Sequence, residues 1–296
     1  MSRTPRISAA ILATTLLTAA CSGSGAADTA KDGKPAVIAA FYPLQWLTEQ
    51  VGGSDVNVSV LTAPGVEPHD LELGAHQVAQ LEDAALTVYI KGVQPAVDDA
   101  VAQDTSFDAA TAVKTLPASE HEEGHDIGYD PHLWLDPSRL ATVATKLGER
   151  LAATDPAHAQ GYRDRAVRTA GALGTLDQEY AKGLTTCATK TLVTSHQAFG
   201  YLADRYHLKQ IGITLDPEAE PSPARIAEVA KLAKDEKATT IFTESLVSPK
   251  VAEVLAKEIG AKTAVLDPLE SKPPGDYLSA MRANLKTLQS ALGCTA

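Results

Sequence analysis

Only 5% of the residues in this 296-residue chain are aromatic, too few to line the ring-rich pockets that hold glycans or siderophores. Cysteine is scarce as well: the three present form no Cys-x-x-Cys unit, which makes them poor metal ligands. No His-Glu-x-x-His helix or nucleophile elbow occurs, so the common signatures of zinc proteases and α/β-hydrolases are missing. Basic residues are outnumbered, 26 to 37, and the net charge of −11 argues against nucleic acid as a partner. Beyond residue 20 no stretch is apolar enough to cross a bilayer. Nothing is low-complexity.

The N-terminus carries a clear signal. Arg3 and Arg6 precede an uncharged apolar run from Ile7 to Ala20 that ends in small residues. This reads as a secretory leader, too short to persist as a spanning helix. Leu17-Thr18-Ala19-Ala20-Cys21 resembles a bacterial lipobox, in which the cysteine becomes the lipidated first residue, although Thr18 stands where the pattern usually has its leucine. Residues 22–34 are small and polar, as in a flexible tether. Loss of the leader removes two arginines, so the exported chain is more acidic still. About 260 residues remain, enough for two lobes with their own cores.

In an oxidising compartment the remaining Cys187 and Cys294 can form one intramolecular bridge. It would close a loop of about 108 residues and stabilise the chain by about 4–5 kcal/mol in the chain-entropy picture.

Short β-branched runs alternate with helical patterns. In the first half the runs are 37–40, 56–61 and 86–90, with helices over 44–51 and 74–84; in the second half they are 191–194, 210–213, 239–243 and 263–266. Such alternation predicts parallel βα units in two α/β lobes. Between them Asp155-Pro156 starts a helical stretch in which Tyr162, Ala166, Ala170, Leu173, Leu176 and Tyr180 recur at three- and four-residue spacing up to Gly183. At 1.5 Å per residue it predicts a spine about 40 Å long, stiffer than a pair of flexible strands. The expected division is a leader 1–20, a tether 21–35, an N-terminal α/β lobe 36–154, a linking helix 155–184 and a C-terminal α/β lobe 185–296.

Three histidines lie in segments that look like the mouth of a site. They are His69 in Glu67-Pro68-His69-Asp70, His132 in Asp130-Pro131-His132-Leu133-Trp134-Leu135-Asp136-Pro137, and His196 in Ser195-His196-Gln197-Ala198-Phe199. Ligands of open parallel sheets bind beyond the carboxyl ends of the strands, and His69, His196, Glu244 and Asp267 all follow predicted strand ends. His132 sits between two prolines, with Asp130 and Asp136 available to accept its second ring N–H. If the fold gathers them, three imidazoles and the Asp267 carboxylate make a closed tetrahedral site suited to zinc. Asp267 also precedes Pro268, as turn aspartates often do.

Pro68-His69-Asp70, the Asp130–Pro137 segment, Ser195-His196-Gln197-Ala198-Phe199-Gly200-Tyr201-Leu202 and Phe242-Thr243-Glu244-Ser245 together resemble the metal-binding lipoproteins of zinc and manganese ABC importers, the cluster A-I solute-binding family. The resemblance covers nearly the whole mature chain. It implies two (β/α) lobes with parallel sheets, joined by a long rigid helix, and a metal held in the cleft between them. It implies His69, His132, His196 and Asp267 as ligands, with Glu244 supporting the site or standing in for Asp267, and water as another possible fourth ligand. Manganese-type relatives place a glutamate where His196 stands, so an imidazole here favours zinc. The short run Glu120-His121-Glu122-Glu123-Gly124-His125-Asp126 resembles a shortened form of the family's histidine-rich loop, with His121 and His125 as accessory ligands.

The reading is therefore an extracytoplasmic, membrane-anchored receptor, not an enzyme. It would carry Zn2+ as a monomer to an ABC permease driven by a cytoplasmic ATPase, with affinity falling below about pH 6.5 as the histidines protonate. A manganese receptor of the same family is the near alternative. A zinc hydrolase, with water in the fourth position and Glu244 as base, and a surface adhesin are the alternatives of other classes.

Overall fold

A computed structural model describes residues 33–118 and 128–295. The expected leader, Cys21, most of the tether, and the run with His121 and His125 lie outside the described residues.

The chain runs β1 (Ala36–Ala39), α1 (Tyr42–Gly52), β2 (Asn57–Val60), α2 (Ala75–Asp83), β3 (Leu86–Tyr89), α3 (Pro95–Ala100) and β4 (Ser106–Asp108), then α4 (Pro137–Thr154) and α5 (Ala159–Gly183). It continues with β5 (Thr191–Thr194), α6 (Gly200–Arg205), β6 (Lys209–Gly212), α7 (Pro223–Asp235), β7 (Thr240–Thr243), α8 (Lys250–Ile259), β8 (Lys262–Val265) and α9 (Tyr277–Leu292). Each lobe holds a parallel sheet with the same winding, β2-β1-β3-β4 and β6-β5-β7-β8. In both, the chain steps first to one side of the opening strand and then to the other. The reversal leaves a crevice at the carboxyl ends of the central pair.

Burial explains which strands were legible. The central strands β5 and β7 are buried throughout and read as continuous apolar or β-branched runs, whereas edge strand β2 alternates exposed and half-buried residues. The half-buried Ser106-Phe107-Asp108 forms a fourth strand in the first lobe that the β-branched pattern did not reveal.

Between the two sheets in chain order lies an antiparallel helix pair, α4 and α5. Asp136 caps α4, accepting from Ser138 N and Arg139 N, and Pro137 occupies the first turn. Leu140, Val143, Leu147 and Leu151 form its buried stripe. After a 3-10 turn at Pro156–His158, α5 returns along α4. Gly148 lets the two approach closely, since a Cβ there would overlap that of Ala166. The expected spine is thus α5, starting four residues later than predicted.

One apolar core runs from the first sheet through α4 and α5 into the second lobe, taking in Phe199, Tyr201, Phe242, Tyr277 and Leu288. A smaller cluster under α7 and α8 fills the other face of the second sheet. Between the lobes, Trp134 Nε1 donates to the Pro268 carbonyl at 2.7 Å and the Tyr277 hydroxyl to the Trp134 carbonyl at 2.5 Å. Trp46 stacks on Tyr277 with ring centroids 4.8 Å apart. Cys187 and Cys294 form the expected disulfide, which ties the end of the chain to the segment entering β5.

Candidate metal centre

His69 lies in the coil between β2 and α2, His132 just before a 3-10 turn that leads to α4, His196 two residues beyond β5, and Glu270 in the coil between β8 and α9. The fold brings these four together, with one donor atom from each within 4.8 Å of all the others. Nε2 of His69, His132 and His196 stand 3.4, 3.8 and 3.6 Å from the same oxygen, Oε1 of Glu270. In a tetrahedral zinc site with bonds of about 2.0–2.1 Å, ligand atoms lie about 3.3 Å apart. The three edges to Glu270 lie within about half an ångström of that spacing, and no pair in the group is more than 4.8 Å apart.

Burial is deep and graded. The side chain of His196 is 0% exposed, Glu270 1%, His132 7% and His69 13%, so solvent approaches from the His69 side. The coil that carries His69 is tied to the opposite lobe by Gly65 N, which donates to Ser271 Oγ at 2.7 Å. Nε2 of His132, Nε2 of His196 and Oε2 of Glu270 are buried without a hydrogen-bond partner. Unpaired buried polar atoms cost about 1–3 kcal/mol each, and the two imidazole Nε2 atoms belong to the group that could hold an ion.

Two of the imidazoles are held from behind in the same way. Asp130 Oδ1 accepts from both the backbone N (3.0 Å) and Nδ1 (2.7 Å) of His132. Glu244 holds His196 with both oxygens, Oε1 accepting from N at 3.0 Å and Oε2 from Nδ1 at 2.6 Å. Each carboxylate keeps the ring proton on Nδ1 and turns the Nε2 lone pair inward. Glu244 therefore sits behind an imidazole, outside the four-residue group. Asp136, the other candidate support for His132, is engaged in capping α4.

Asp267, expected beside the histidines, points elsewhere. Its Oδ1 accepts from Leu269 N at 2.8 Å, closing an Asx turn over Pro268, and its Oδ2 accepts from Ser245 Oγ at 3.0 Å. Asn284 of α9 clamps the backbone of the same residue, donating to its carbonyl at 2.7 Å and accepting from its N at 3.1 Å. Leu269 takes a left-handed backbone conformation, φ 62°, which swings the next residue, Glu270, into the cleft. The turn consumes the first acid and delivers the second. The Asp-Pro pair was the available sign that Asp267 would be spent locally.

Burial alone would raise the pKa of Glu270, but His196 and His69 beside it hold it well below the usual carboxylate range. Burial likewise works against a charge on His196, yet Glu244, with Glu270 and Glu67, raises its pKa to about 9. His69 is raised despite burial by its contact with Glu270. His132 is lowered, because burial and the neighbouring imidazoles outweigh Asp130. Glu67, missed as a site residue, accepts from His69 N at 3.3 Å. Burial, then Glu270, raises its pKa to about 7. The acids thus favour positive charge in the cleft, supplied by protons or by a cation. His76 is exposed on α2, and His158 pairs with Asp155 at the surface.

Residues 37–291 match the family described as zinc-uptake complex component A, periplasmic (ZnuA). The chain is 37% identical over 295 residues to the zinc-binding lipoprotein AdcA of Streptococcus pneumoniae, covering 93% of this chain and 58% of that protein. It thus spans little more than half the length of that relative. The solved Zn(II)-bound AdcA superposes with a TM-score of 0.75 at 36% identity, covering 88% of this chain and 58% of that one. The high-affinity zinc uptake system protein ZnuA of Bacillus subtilis is 35% identical over 306 residues, covering 95% of this chain and 96% of that protein. The laminin-binding adhesin Lmb of Streptococcus agalactiae superposes with a TM-score of 0.80 at 33% identity, covering 87% of this chain and 99% of the other.

Proposed function

The chain belongs to the ZnuA family of zinc-uptake component A proteins, and on that premise we propose that it is an extracytoplasmic receptor that binds Zn2+ between its lobes. It hands the ion to the permease of an ABC importer driven by a cytoplasmic ATPase. His69, His132 and His196 hold the ion through Nε2, and Glu270, rather than Asp267, supplies the fourth ligand. The observation that carries this reading is the convergence of three imidazoles and the Glu270 carboxylate within 4.8 Å of one another, two of the imidazoles with a buried Nε2 that has no partner. Three nitrogens and one oxygen favour zinc over manganese, which prefers more oxygen ligands.

The four ligands complete a tetrahedral set, which leaves no open corner for an activated water and fits a carrier rather than a hydrolase. No helix among the described residues is long and apolar enough to cross a membrane. In this proposal the leader 1–20 is removed, Cys21 carries the lipid anchor, and residues 36–154, 155–184 and 185–296 are lobe, linker and lobe of a monomer. Metal analysis of chain purified without added metal, followed by competition between zinc and manganese, tests the reading. Close to one zinc per chain and preference for zinc are expected. Equal or tighter manganese binding refutes the zinc assignment.

A further inference from the structure

The segment that delivers His196 from the second lobe continues into Gly200 and Tyr201, and both touch the support of a different histidine, across the cleft. The hydroxyl of Tyr201 accepts from Leu116 N at 3.0 Å and donates to the Asp130 carbonyl at 2.6 Å. Leu116 and Asp130 face each other on antiparallel segments of the first lobe, joined by an isolated bridge at Pro117 and Tyr129. Such a hydrogen-bonded pair normally exchanges two direct bonds. Here Asp130 N donates directly to Leu116 O at 3.0 Å, and the Tyr201 hydroxyl relays the other bond. A side chain of the second lobe is wedged into the first-lobe ladder at the residue that holds His132.

Gly200 acts on the carboxylate of the same residue. A Cβ at this position would overlap Oδ2 of Asp130. That carboxylate cannot yield freely, because its Oδ1 is bonded to both the backbone N and Nδ1 of His132. Rotating Oδ2 away from an added methyl would drag Oδ1 off the ring. Tyr201 is fully buried, with the Arg139 guanidinium 4.7 Å from its ring centroid. Arg139 also bonds Asp136 at 2.5 Å and Asp204 of α6 at 3.3 Å. The wedge is therefore braced on both sides.

We infer that Gly200 and Tyr201 are positioning residues that set the orientation of His132 from the opposite lobe, through Asp130. The inference rests on the reading of His132 as a zinc ligand. Its consequence is that His132 and His196 are registered to one another by a single short segment, 195–201, so displacement of that segment loosens two imidazoles at once.

The test uses the exported chain with Gly200→Ala, Tyr201→Phe, Asp130→Ala and His132→Ala, and Gly200→Ala combined with Asp130→Ala. Zinc dissociation constants, Co2+ absorption spectra and the Nδ1–H proton resonance of His132 in the metal-free protein are measured for each. Tyr201→Phe should weaken zinc about 10-fold and Gly200→Ala about 10–100-fold, the range for residues that orient a metal ligand. Both should shift the Co2+ bands and the His132 resonance. In the Asp130→Ala background Gly200→Ala should add less than about twofold, because its route to the metal is gone. Unchanged spectra in both single variants, or additive losses in the double variant, overturn the inference. If Gly200→Ala does not fold, Tyr201→Phe decides, since it keeps the buried ring. If His132→Ala leaves zinc binding intact, the metal-site reading itself fails, an outcome distinct from failure of the cross-lobe coupling.

Discussion

Glu270→Gln and Asp267→Asn make a matched pair, because each changes one carboxylate to an amide of the same shape three residues apart. Glu270 is 1% exposed and its Oε1 lies within 3.4–3.8 Å of three imidazole nitrogens. The amide removes the one carboxylate among the four proposed ligands and leaves the buried dication short of its counter-charge. Loss of one partner from a buried charge pair costs about 3–5 kcal/mol, which corresponds to a zinc dissociation constant about 150- to 5,000-fold higher. Asp267→Asn retains the Oδ1 acceptor of the Asx turn and disturbs only the bond from Ser245. Its effect should stay within about 10-fold, transmitted through the turn that aims Glu270. Competition against a chromogenic chelator at pH 7.5, with the melting temperature of the metal-free proteins as a control for folding, separates the two. A larger loss from Asp267→Asn than from Glu270→Gln refutes the geometry argued for the turn.

Further outcomes follow from the same site. A proton on a ligand competes with the ion, so zinc binding should strengthen as pH rises and level off only above about 9, where His196 loses its proton. Between pH 8 and 6 the dissociation constant should rise about 100-fold for the one proton displaced from His196, and more steeply still where His69, its pKa also raised, is protonated; a flat profile in calorimetry or chelator competition would contradict this. Glu244→Gln should weaken zinc about 10–100-fold and shift the Co2+ spectrum while leaving the fold intact, since the amide no longer fixes the His196 ring proton. Cys187→Ser should lower unfolding free energy by about 2–5 kcal/mol in denaturant titrations, because the bridge closes a separation of 107 residues. It should leave zinc affinity within about twofold, as the bridge lies at the far end of β5 from His196.

Where a residue's neighbours in sequence decide its surroundings, the chain could be read directly. The β-branched runs announced seven strands, and the histidines stood out because each follows a strand end or sits in a proline-bounded turn. Other features were hidden because tertiary packing decides them. β4 is three half-buried residues held by one neighbour strand. α4 was absorbed into the first lobe, although Asp136-Pro137 marked its start as plainly as Ser222-Pro223 marks α7. Glu270 was obscured by Asp267, which has the better position after its strand. Choosing between them requires knowing that Leu269 adopts positive φ and that Ser245, Asn284 and Trp134 hold the turn. None of those contacts is local in sequence.

The aromatic contacts that join the lobes bear on how quickly the cargo can leave. Swinging the lobes apart would place Trp134, Tyr277 and Trp46 in water, at roughly 2–3 kcal/mol each. About 6–9 kcal/mol keeps a spontaneously gaping form below about one molecule in 10,000. His69, the most exposed of the four proposed ligands, rides on a coil fastened across the cleft by the Gly65–Ser271 bond. In the proposed receptor the ion would leave on the His69 side, where the site is most exposed, and that coil rather than parting of the lobes would set the rate.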